Sequence, residues 1–260
     1  MSKTDYDGPI HHDYARGRAL KAEQYAAWAD AFAQHLPRRR PLDGLDLGSG
    51  TGRFSPLLAD TFGPVVGVEP SAGMRETAER SSAHEDVRYV PGCAEEIPLE
   101  DDSVDYCLMF LAWHHVADPE RGAAEIARVL RPGGVLLCRA QFSDLMPDLW
   151  WLRHFPHGDE VDAAMYRPLS EEIDIFSGSG LVPSPGLVRV EMPPVETKGD
   201  VFERLRLRTL STLVRMPEED FAAGIAALEV EVAKEPEAIV PPETITLLVM
   251  SKPEETSAQS

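Results

Sequence analysis

The chain has 260 residues, 43% of them hydrophobic and 27% charged, and a formal net charge of -19 at pH 7. This composition is typical of a folded globular protein and excludes a fibrous or wholly disordered chain. Because the negative charge repels phosphate backbones, and because no segment approaches the ~18 apolar residues of a membrane span, we expect neither a nucleic-acid nor a membrane partner.

The N-terminal region is polar at first, and Met1–Ile10 lacks the apolar stretch of a signal peptide, so a cytoplasmic location is expected. A helix is predicted from Lys21 to Leu36, where apolar residues recur at three- and four-residue spacing until Pro37. We assign residues 1–41 to an N-terminal helical lid.

From residue 42 onward, short apolar runs alternate with helical patterns, which is typical of a parallel sheet wrapped by helices. Five strands are predicted, over Leu42–Leu47, Val65–Glu69, Val87–Val90, Val104–Leu111 and Val135–Ala140. Three helices are predicted between them, over Arg53–Phe62, Ala72–Arg80 and Pro119–Leu130. Residues 42–142 are therefore assigned to an α/β core.

The regular alternation stops after this core, and the remaining elements are spaced unevenly. They are a helix near Ser170–Ser177, a strand near Leu187–Met192, two helices within Asp200–Lys234 that divide near Pro217, and a final strand over Thr244–Met250. We expect residues 143–260 to complete the core with its last two strands and to add cap insertions near 143–168 and 198–240. The whole chain is predicted to form one domain with a discontinuous cap.

A glycine-rich turn, Gly48-Ser49-Gly50-Thr51-Gly52, joins the first predicted strand to a helix. Glycines there allow the backbone to approach a ligand closely at a helix N-terminus, but the turn alone fits several kinds of nucleotide. A dinucleotide fingerprint needs a glycine at position 53, where Arg53 stands, and a P-loop needs a Gly-Lys-Ser/Thr ending that is absent. Both phosphate-binding interpretations are therefore disfavoured.

Two carboxylates flank this turn. Glu69 ends the second predicted strand, about twenty positions beyond the glycines, where a carboxylate can accept both hydroxyls of a ribose. Asp46 precedes the glycines, and its charge would attract an ammonium group but repel a pyrophosphate. The combination favours S-adenosylmethionine as the cofactor, with S-adenosylhomocysteine as its product, although a nicotinamide-dependent dehydrogenase stays open as an alternative.

An ordered set of motifs runs through residues 42–142, consisting of Leu45–Gly52, Val66–Ser71 with Met74, Pro91–Pro98, Ser103–Asp105, His114-His115 and Ala127–Gly134. As a set they resemble the class I methyltransferase family, especially its type 11 branch. The resemblance implies a Rossmann-like fold with a seven-stranded, mostly parallel sheet, an antiparallel last strand and helices on both faces. It also implies methyl transfer from S-adenosylmethionine to a small molecule.

The resemblance places the cofactor across the carboxyl ends of the first, second and fourth strands, with Glu69 on the ribose. Cys93 and Ala94 would border the adenine, although the family usually has Asp where Cys93 stands. Phe110 and Leu111 would pass beneath the methionine part. The other core residues expected around the cofactor are Gly48, Ser49, Gly50, Gly52, Pro70, Met74 and Glu95.

Two residues of the N-terminal segment are candidates to close over the cofactor. Tyr14 could make a cation–π contact with the sulfonium, and Arg18 could pair with the carboxylate of the methionine part.

His114 and His115 follow the fourth predicted strand, near the expected position of the transferable methyl group. In-line displacement from a sulfonium needs a base only when the nucleophile is poorly ionised. A neutral imidazole could be that base, so these histidines are the candidate catalytic residues. In the alternative interpretation the pair only shapes a turn. The three cysteines show no metal-ligand spacing, and no metal is predicted.

The sequence leaves the acceptor atom, O, N or C, and the oligomeric state open. The fourth strand lacks the Asn/Asp-Pro-Pro-aromatic motif and the acidic metal ligands of related enzymes, which disfavours amino-adenine, glutamine and catechol substrates. Aromatic residues after the core could form the core of the cap or bind a planar substrate, namely Trp150, Trp151, Phe155, Tyr166 and Phe176. An alternative function is a protein that binds the cofactor to sense it or to assist a cyclisation or rearrangement without methylation.

Overall fold

The structure is a computed structural model that describes residues 17, 18 and 20–254. Tyr14 therefore lies outside the described residues. The chain divides into two compact units. The sheet unit contains residues 29–140, 170–189 and 246–254, and the helical unit contains residues 17–28 (residue 19 apart), 141–169 and 190–245. The boundaries at 41/42 and 142/143 stay a prediction.

Within the described residues, eight strands form one mixed sheet in the order β3-β2-β1-β4-β5-β8-β6, with β7 paired to β8. Strands β1 to β5 pair in parallel, and β8 runs antiparallel to both β5 and β6. The strands are β1 Gly44–Leu47, β2 Val65–Val68, β3 Val87–Val90, β4 Val104–Phe110, β5 Leu130–Arg139, β6 Val182–Pro183, β7 Val188–Glu191 and β8 Thr244–Ser251. The Rossmann-like α/β class is thus confirmed.

The strand count corrects the prediction of seven. The sequence shows alternation only near the observed β7, whereas β6 consists of two residues, Val182 and Pro183, which is too short to produce a periodic pattern. Pro183 lacks a backbone donor, which fits its place on the edge strand of the sheet. Strand β5 also begins at Leu130 instead of Val135, because the Pro-Gly-Gly stretch lies within the strand, whose pairing with β4 includes a register shift.

The described helices are α1 Ala22–Ala33, α2 Ser55–Phe62, α3 Ala72–Ser81, α4 Pro119–Val129, α5 Gly158–Ala163, α6 Leu169–Gly178, α7 Lys198–Arg206, α8 Ser211–Arg215 and α9 Glu218–Val232. Residues 198–232 therefore form three helices and not the two predicted. Pro217 separates α8 from α9 as expected, but a second break follows α7, where Arg208 has a φ of 50°. Its guanidinium donates to the carbonyls of Leu213 and Met216, so this break depends on contacts beyond the local pattern.

The central strands β1 and β4 are buried at every position except Phe110, the last residue of β4, as expected for parallel strands with helices on both faces. At their amino ends Asp105 accepts the backbone N–H of Asp43 at 2.8 Å and pairs with Arg131 at 2.9 Å. Arg39 also pairs with Asp105. The opposite edge, at the carboxyl ends of β1, β2 and β4, carries the glycine turn and the residues that follow these strands.

The helical unit has a hydrophobic core of its own. Trp151, Leu152 and Phe155 pack there with Leu205, Leu213 and Leu228. Trp151 and Phe155, which the sequence predicts either to form the core of the cap or to bind a planar substrate, therefore lie in a core. No helix in the described part of the chain has the length and apolar character needed to cross a membrane.

Candidate cofactor site

The glycine turn leaves the end of β1 with three left-handed residues. Gly48, Gly50 and Gly52 have φ values of 72°, 57° and 75°, which side-chain-bearing residues rarely adopt. The turn is held to β2 by hydrogen bonds from the Gly48 and Ser49 amides to the Val68 carbonyl, at 2.8 and 3.2 Å. A Cβ at Gly48 would lie 2.6 Å from that of Ala112, so the sequence needs glycine there both for conformation and for space.

Glu69 joins this turn to the start of α3. It is only 8% exposed, and its two carboxylate oxygens accept the amides of Gly50 at 3.0 Å and Ser71 at 2.9 Å. Ser71 in turn caps α3 by accepting the amide of Met74, which is buried. A carboxylate offers about four lone-pair sites, which is more than these two amides occupy.

Asp46 is buried beneath the same turn. One of its oxygens accepts the hydroxyl of Ser55, the first residue of α2, at 2.6 Å. Burial raises the pKa of Asp46 to about 6, although the Ser55 hydrogen bond and the nearby Arg53 guanidinium act in the opposite direction. An unfavourable buried charge of this kind would be relieved by a cationic ligand.

The loop after β3 carries Cys93 and Ala94, which are predicted to border the adenine, and Glu95, which is predicted to lie near the cofactor. Ala94 is buried, while Cys93 is partly exposed, and burial raises the pKa of the Cys93 thiol. The Glu95 carboxylate accepts the amides of Ala117 and Asp118, at 2.8 and 3.3 Å, just before α4. Glu95 thus fixes the loop to the start of α4.

An aromatic pair and a strained residue lie at the end of β4. The rings of Phe54 and Phe110 lie 4.2 Å apart, and the Arg53 guanidinium lies 5.2 and 5.0 Å from their centroids. Leu111 follows with a φ of 56°, unusual for leucine, and donates its amide to the Arg139 carbonyl at 2.8 Å. Such strain clusters at ligand sites. In the sequence, Arg53 is informative only because it stands where a dinucleotide-binding fingerprint needs glycine.

A 3₁₀ turn, Trp113–His115, presents the candidate catalytic histidines. Their rings lie 3.9 Å apart, and both residues are half-buried. Trp113 anchors the turn, since its indole N–H donates to the buried Glu172 carboxylate at 2.6 Å and its ring stacks on Phe176 at 4.5 Å. Phe176 is therefore a core residue, and sequence patterns gave no signal for Glu172.

Replacing Trp113 with phenylalanine tests this anchor. The substitution keeps an aromatic ring against Phe176 but removes the N–H that Glu172 accepts. Because a hydrogen bond to a charged group contributes about 1.5 to 3 kcal/mol, we expect the free energy of unfolding to fall by about that amount in chemical denaturation. Trp150→Phe is the matched control, because the buried Trp150 Nε1 has no hydrogen-bond partner among the described residues. Equal losses in the two variants would contradict the anchor.

Arg18, predicted to pair with the cofactor carboxylate, lies in the helical unit. Its Nε donates to the Thr209 carbonyl at 3.3 Å, and the adjacent Gly17 packs so closely on the Thr209 side chain that a Cβ would clash. The roles of Arg18 and Tyr14 toward a cofactor stay predictions.

The polar groups around the turn suit a ligand with hydroxyls and a positive charge. Asp46 and Glu69 are both buried carboxylates, and the buried Ser49 hydroxyl has no partner among residues 17, 18 and 20–254. Two negative charges beside the turn would repel a pyrophosphate, whereas they can bind a ribose diol and an ammonium group. In the same residues, no three His, Cys, Asp or Glu side chains are grouped as metal ligands.

Comparison with known proteins gives a consistent result. A family model described as a methyltransferase domain matches residues 45–138. An uncharacterised methyltransferase of Mycobacterium tuberculosis is 48% identical over 124 residues, which are 47% of this chain and 46% of the relative. A demethylmenaquinone methyltransferase of Staphylococcus aureus is 32% identical over 132 residues, 49% of this chain and 55% of that protein. The chain thus aligns with about half the length of these curated relatives.

Among solved structures, a presumed methyltransferase from an antibiotic biosynthesis pathway of Anabaena variabilis has the same fold. The TM-score is 0.71 at 23% identity, covering 88% of this chain and 99% of that one. Residues 45–138 thus match the type 11 methyltransferase domain, and the sheet order and the glycine turn of this part of the chain agree with that match.

Proposed function

We propose that this protein transfers the methyl group of S-adenosylmethionine to an O, N or C atom of a small-molecule metabolite and releases S-adenosylhomocysteine. The observation that carries the proposal is the pair of buried carboxylates, Asp46 and Glu69, beside a left-handed glycine turn at the carboxyl ends of β1 and β2. The relative that methylates demethylmenaquinone, a small molecule by its name, supports the substrate class. The net charge of -19 argues against a nucleic-acid substrate.

The side chains of the site have distinct parts in this proposal. Glu69 would hold the ribose hydroxyls, Asp46 would face the ammonium group, and the Ser49 hydroxyl would donate to or accept from the ligand. When bound, the cofactor supplies a methyl group on a sulfonium. The protein contributes alignment of the acceptor for in-line displacement and exclusion of water, while His114 or His115 would take a proton from an acceptor that is not already ionised.

Turnover with a labelled cofactor tests the proposal. We would incubate the purified chain with methyl-labelled S-adenosylmethionine and a metabolite extract, and we expect S-adenosylhomocysteine in proportion to a labelled product. Binding without any consumption of the cofactor would instead support the alternative, a protein that senses the cofactor or assists a rearrangement. Preferential binding of NAD in calorimetry would contradict the choice of cofactor itself.

Alanine variants of the two histidines test general base catalysis. If one imidazole takes the proton, His114→Ala or His115→Ala should lower kcat about 10²- to 10⁴-fold, with little change in cofactor affinity. His84→Ala is the control, since His84 lies in the loop before β3 and interacts with Asp60. Unchanged kcat in both variants would show that the pair only shapes the turn.

A further inference from the structure

Tyr89 belongs to β3, at one end of the sheet order, but its side chain reaches the glycine turn that follows β1. It stands opposite Gly67 of β2, where a Cβ would lie 2.5 Å from the Tyr89 Cδ1. The ring therefore crosses β2 at a position where only glycine leaves room for it. At Gly52, the last glycine of the turn, a Cβ would lie 2.2 Å from the Tyr89 hydroxyl oxygen, so the phenol packs directly against the turn.

The Tyr89 hydroxyl begins a short series of hydrogen bonds that ends on the turn. It donates to the Ser82 carbonyl at 3.0 Å, and the Ser82 hydroxyl donates to the Thr51 carbonyl at 2.9 Å. Ser82 directly follows α3, so the series joins β3, the end of α3 and the turn. Because glycine populates many backbone conformations, a turn with three glycines needs such contacts to keep one of them.

The same hydroxyl also interacts with the side chain of Ser55, a fully buried residue. Ser55 donates its own proton to the Asp46 carboxylate at 2.6 Å, so its oxygen can only accept from Tyr89. The single phenol proton is thus shared between the Ser82 carbonyl and the Ser55 oxygen. A donor to that oxygen polarises the Ser55 hydroxyl and strengthens its bond to the ionised Asp46.

Tyr89 can act on Asp46 in this way without adding a charge. The ionisable groups near Asp46 come from several elements and are Arg53, Glu69, Tyr89, Tyr106 and Cys107. Burial raises the pKa of Tyr89 to about 12, although the Ser55 contact acts in the opposite direction, and burial also raises the pKa of Tyr106 and of Cys107. The phenol therefore stays a neutral donor throughout the neutral pH range.

We propose that Tyr89 is a positioning residue of the cofactor site, whose hydroxyl holds the glycine turn through Ser82 and orients Ser55 toward Asp46. This inference rests on the proposed function. It gives a residue of β3 a part in cofactor binding that acts through the turn and through Asp46.

Tyr89→Phe keeps the ring and removes the hydroxyl. In calorimetry at pH 8 the variant should bind S-adenosylhomocysteine about 3- to 10-fold more weakly, as expected for the loss of a neutral hydrogen bond. If Asp46 holds the ligand ammonium, binding by the unmodified protein strengthens as the pH rises through about 6. In Tyr89→Phe the midpoint of this rise should move upward by about half a pH unit, because the ionised carboxylate loses support from Ser55. Loss of a purely structural contact would leave the midpoint in place.

Two further variants complete the experiment. Tyr106→Phe is the matched control, since it removes a buried hydroxyl that has no hydrogen-bond partner in the described part of the chain, and it should change neither affinity nor midpoint. Ser82→Ala breaks the bond to the Thr51 carbonyl and leaves Ser55 untouched, so it should weaken binding about 2- to 5-fold without moving the midpoint.

Three results would overturn the inference. They are unchanged affinity in Tyr89→Phe, equal losses in Tyr89→Phe and Tyr106→Phe, and a loss in Tyr89→Phe with an unmoved midpoint. In each of them the unmodified protein still binds S-adenosylhomocysteine, so the proposed function is unaffected. If the unmodified protein does not bind this ligand at any pH, the proposed function itself fails and the role of Tyr89 fails with it.

Discussion

Replacing Glu69 with alanine is expected to weaken S-adenosylhomocysteine binding about 10- to 200-fold, the effect of losing charge-assisted hydrogen bonds to a ribose diol. The same carboxylate accepts the amides of Gly50 and Ser71, so the variant should also lose about 1 to 3 kcal/mol of folding free energy as buried donors become unpaired. Calorimetry and chemical denaturation measure the two effects separately. Glu69→Gln keeps a neutral acceptor for the two amides. Its loss of folding free energy should therefore be smaller than that of Glu69→Ala, while its binding of S-adenosylhomocysteine should still be clearly weakened.

Comparing S-adenosylhomocysteine with 5′-methylthioadenosine, which keeps the adenine and the ribose but lacks the amino-acid end, makes this result specific. Glu69→Ala should weaken S-adenosylhomocysteine and methylthioadenosine by the same factor, because both contain the ribose. Glu85→Ala removes an equal charge from an exposed position before β3, at the opposite edge of the sheet, and should change neither affinity. Unaltered nucleoside binding in a folded Glu69→Ala protein would remove the ribose contact from the proposal.

Replacing Asp46 with asparagine should have the opposite effect on stability. Burial raises the pKa of Asp46 to about 6, so the folded state holds this proton more tightly than the unfolded chain. The stabilising contribution of the protonated carboxyl is fully present below about pH 4 and is lost as the pH rises through 6. A pKa about two units above the ordinary value corresponds to about 3 kcal/mol, so at pH 8 Asp46→Asn should raise the free energy of unfolding by about 2 to 3 kcal/mol.

The pH dependence of that gain is the decisive measurement. Denaturation at a series of pH values should show the difference between the variant and the unmodified protein shrinking toward zero at pH 4. Asp105→Asn supplies a contrast of opposite sign. Burial alone would raise the pKa of Asp105, but the Asp43 amide and the guanidiniums of Arg131 and Arg39 outweigh it and hold that pKa below its ordinary value. Asp105→Asn should therefore destabilise the protein at neutral pH.

The stabilising change at Asp46 is expected to impair function. The ammonium of the cofactor would favour the ionised carboxylate, so binding by the unmodified protein should strengthen as the pH rises through 6. Asp46→Asn should bind more weakly at pH 8 and lose this pH dependence. A variant that is both more stable and equally tight in binding would show that Asp46 has no part in holding the ligand.

The sequence by itself determined the fold class, and it predicts where a cofactor would bind. Apolar runs separated by helical patterns predict parallel strands, and Gly48, Gly50 and Gly52 after the first of them predict a turn whose backbone can approach a ligand closely. These signals are local, because strand burial and glycine conformation depend on neighbouring residues. Since parallel strands place their carboxyl ends on one edge, the sequence alone predicts a common site for Asp46 and Glu69.

The partners of these residues were decided only by the tertiary structure. Ser55 beneath Asp46, the Phe54–Phe110 platform under Arg53, and the Trp113 bond to Glu172, 59 positions away, have no periodic or spacing signal. The two-residue strand β6 and the break at Arg208 likewise have no signal in the local pattern. A side chain's hydrogen bonds and pKa depend on groups that packing brings together from distant parts of the chain, so local patterns can locate a site without determining its electrostatics.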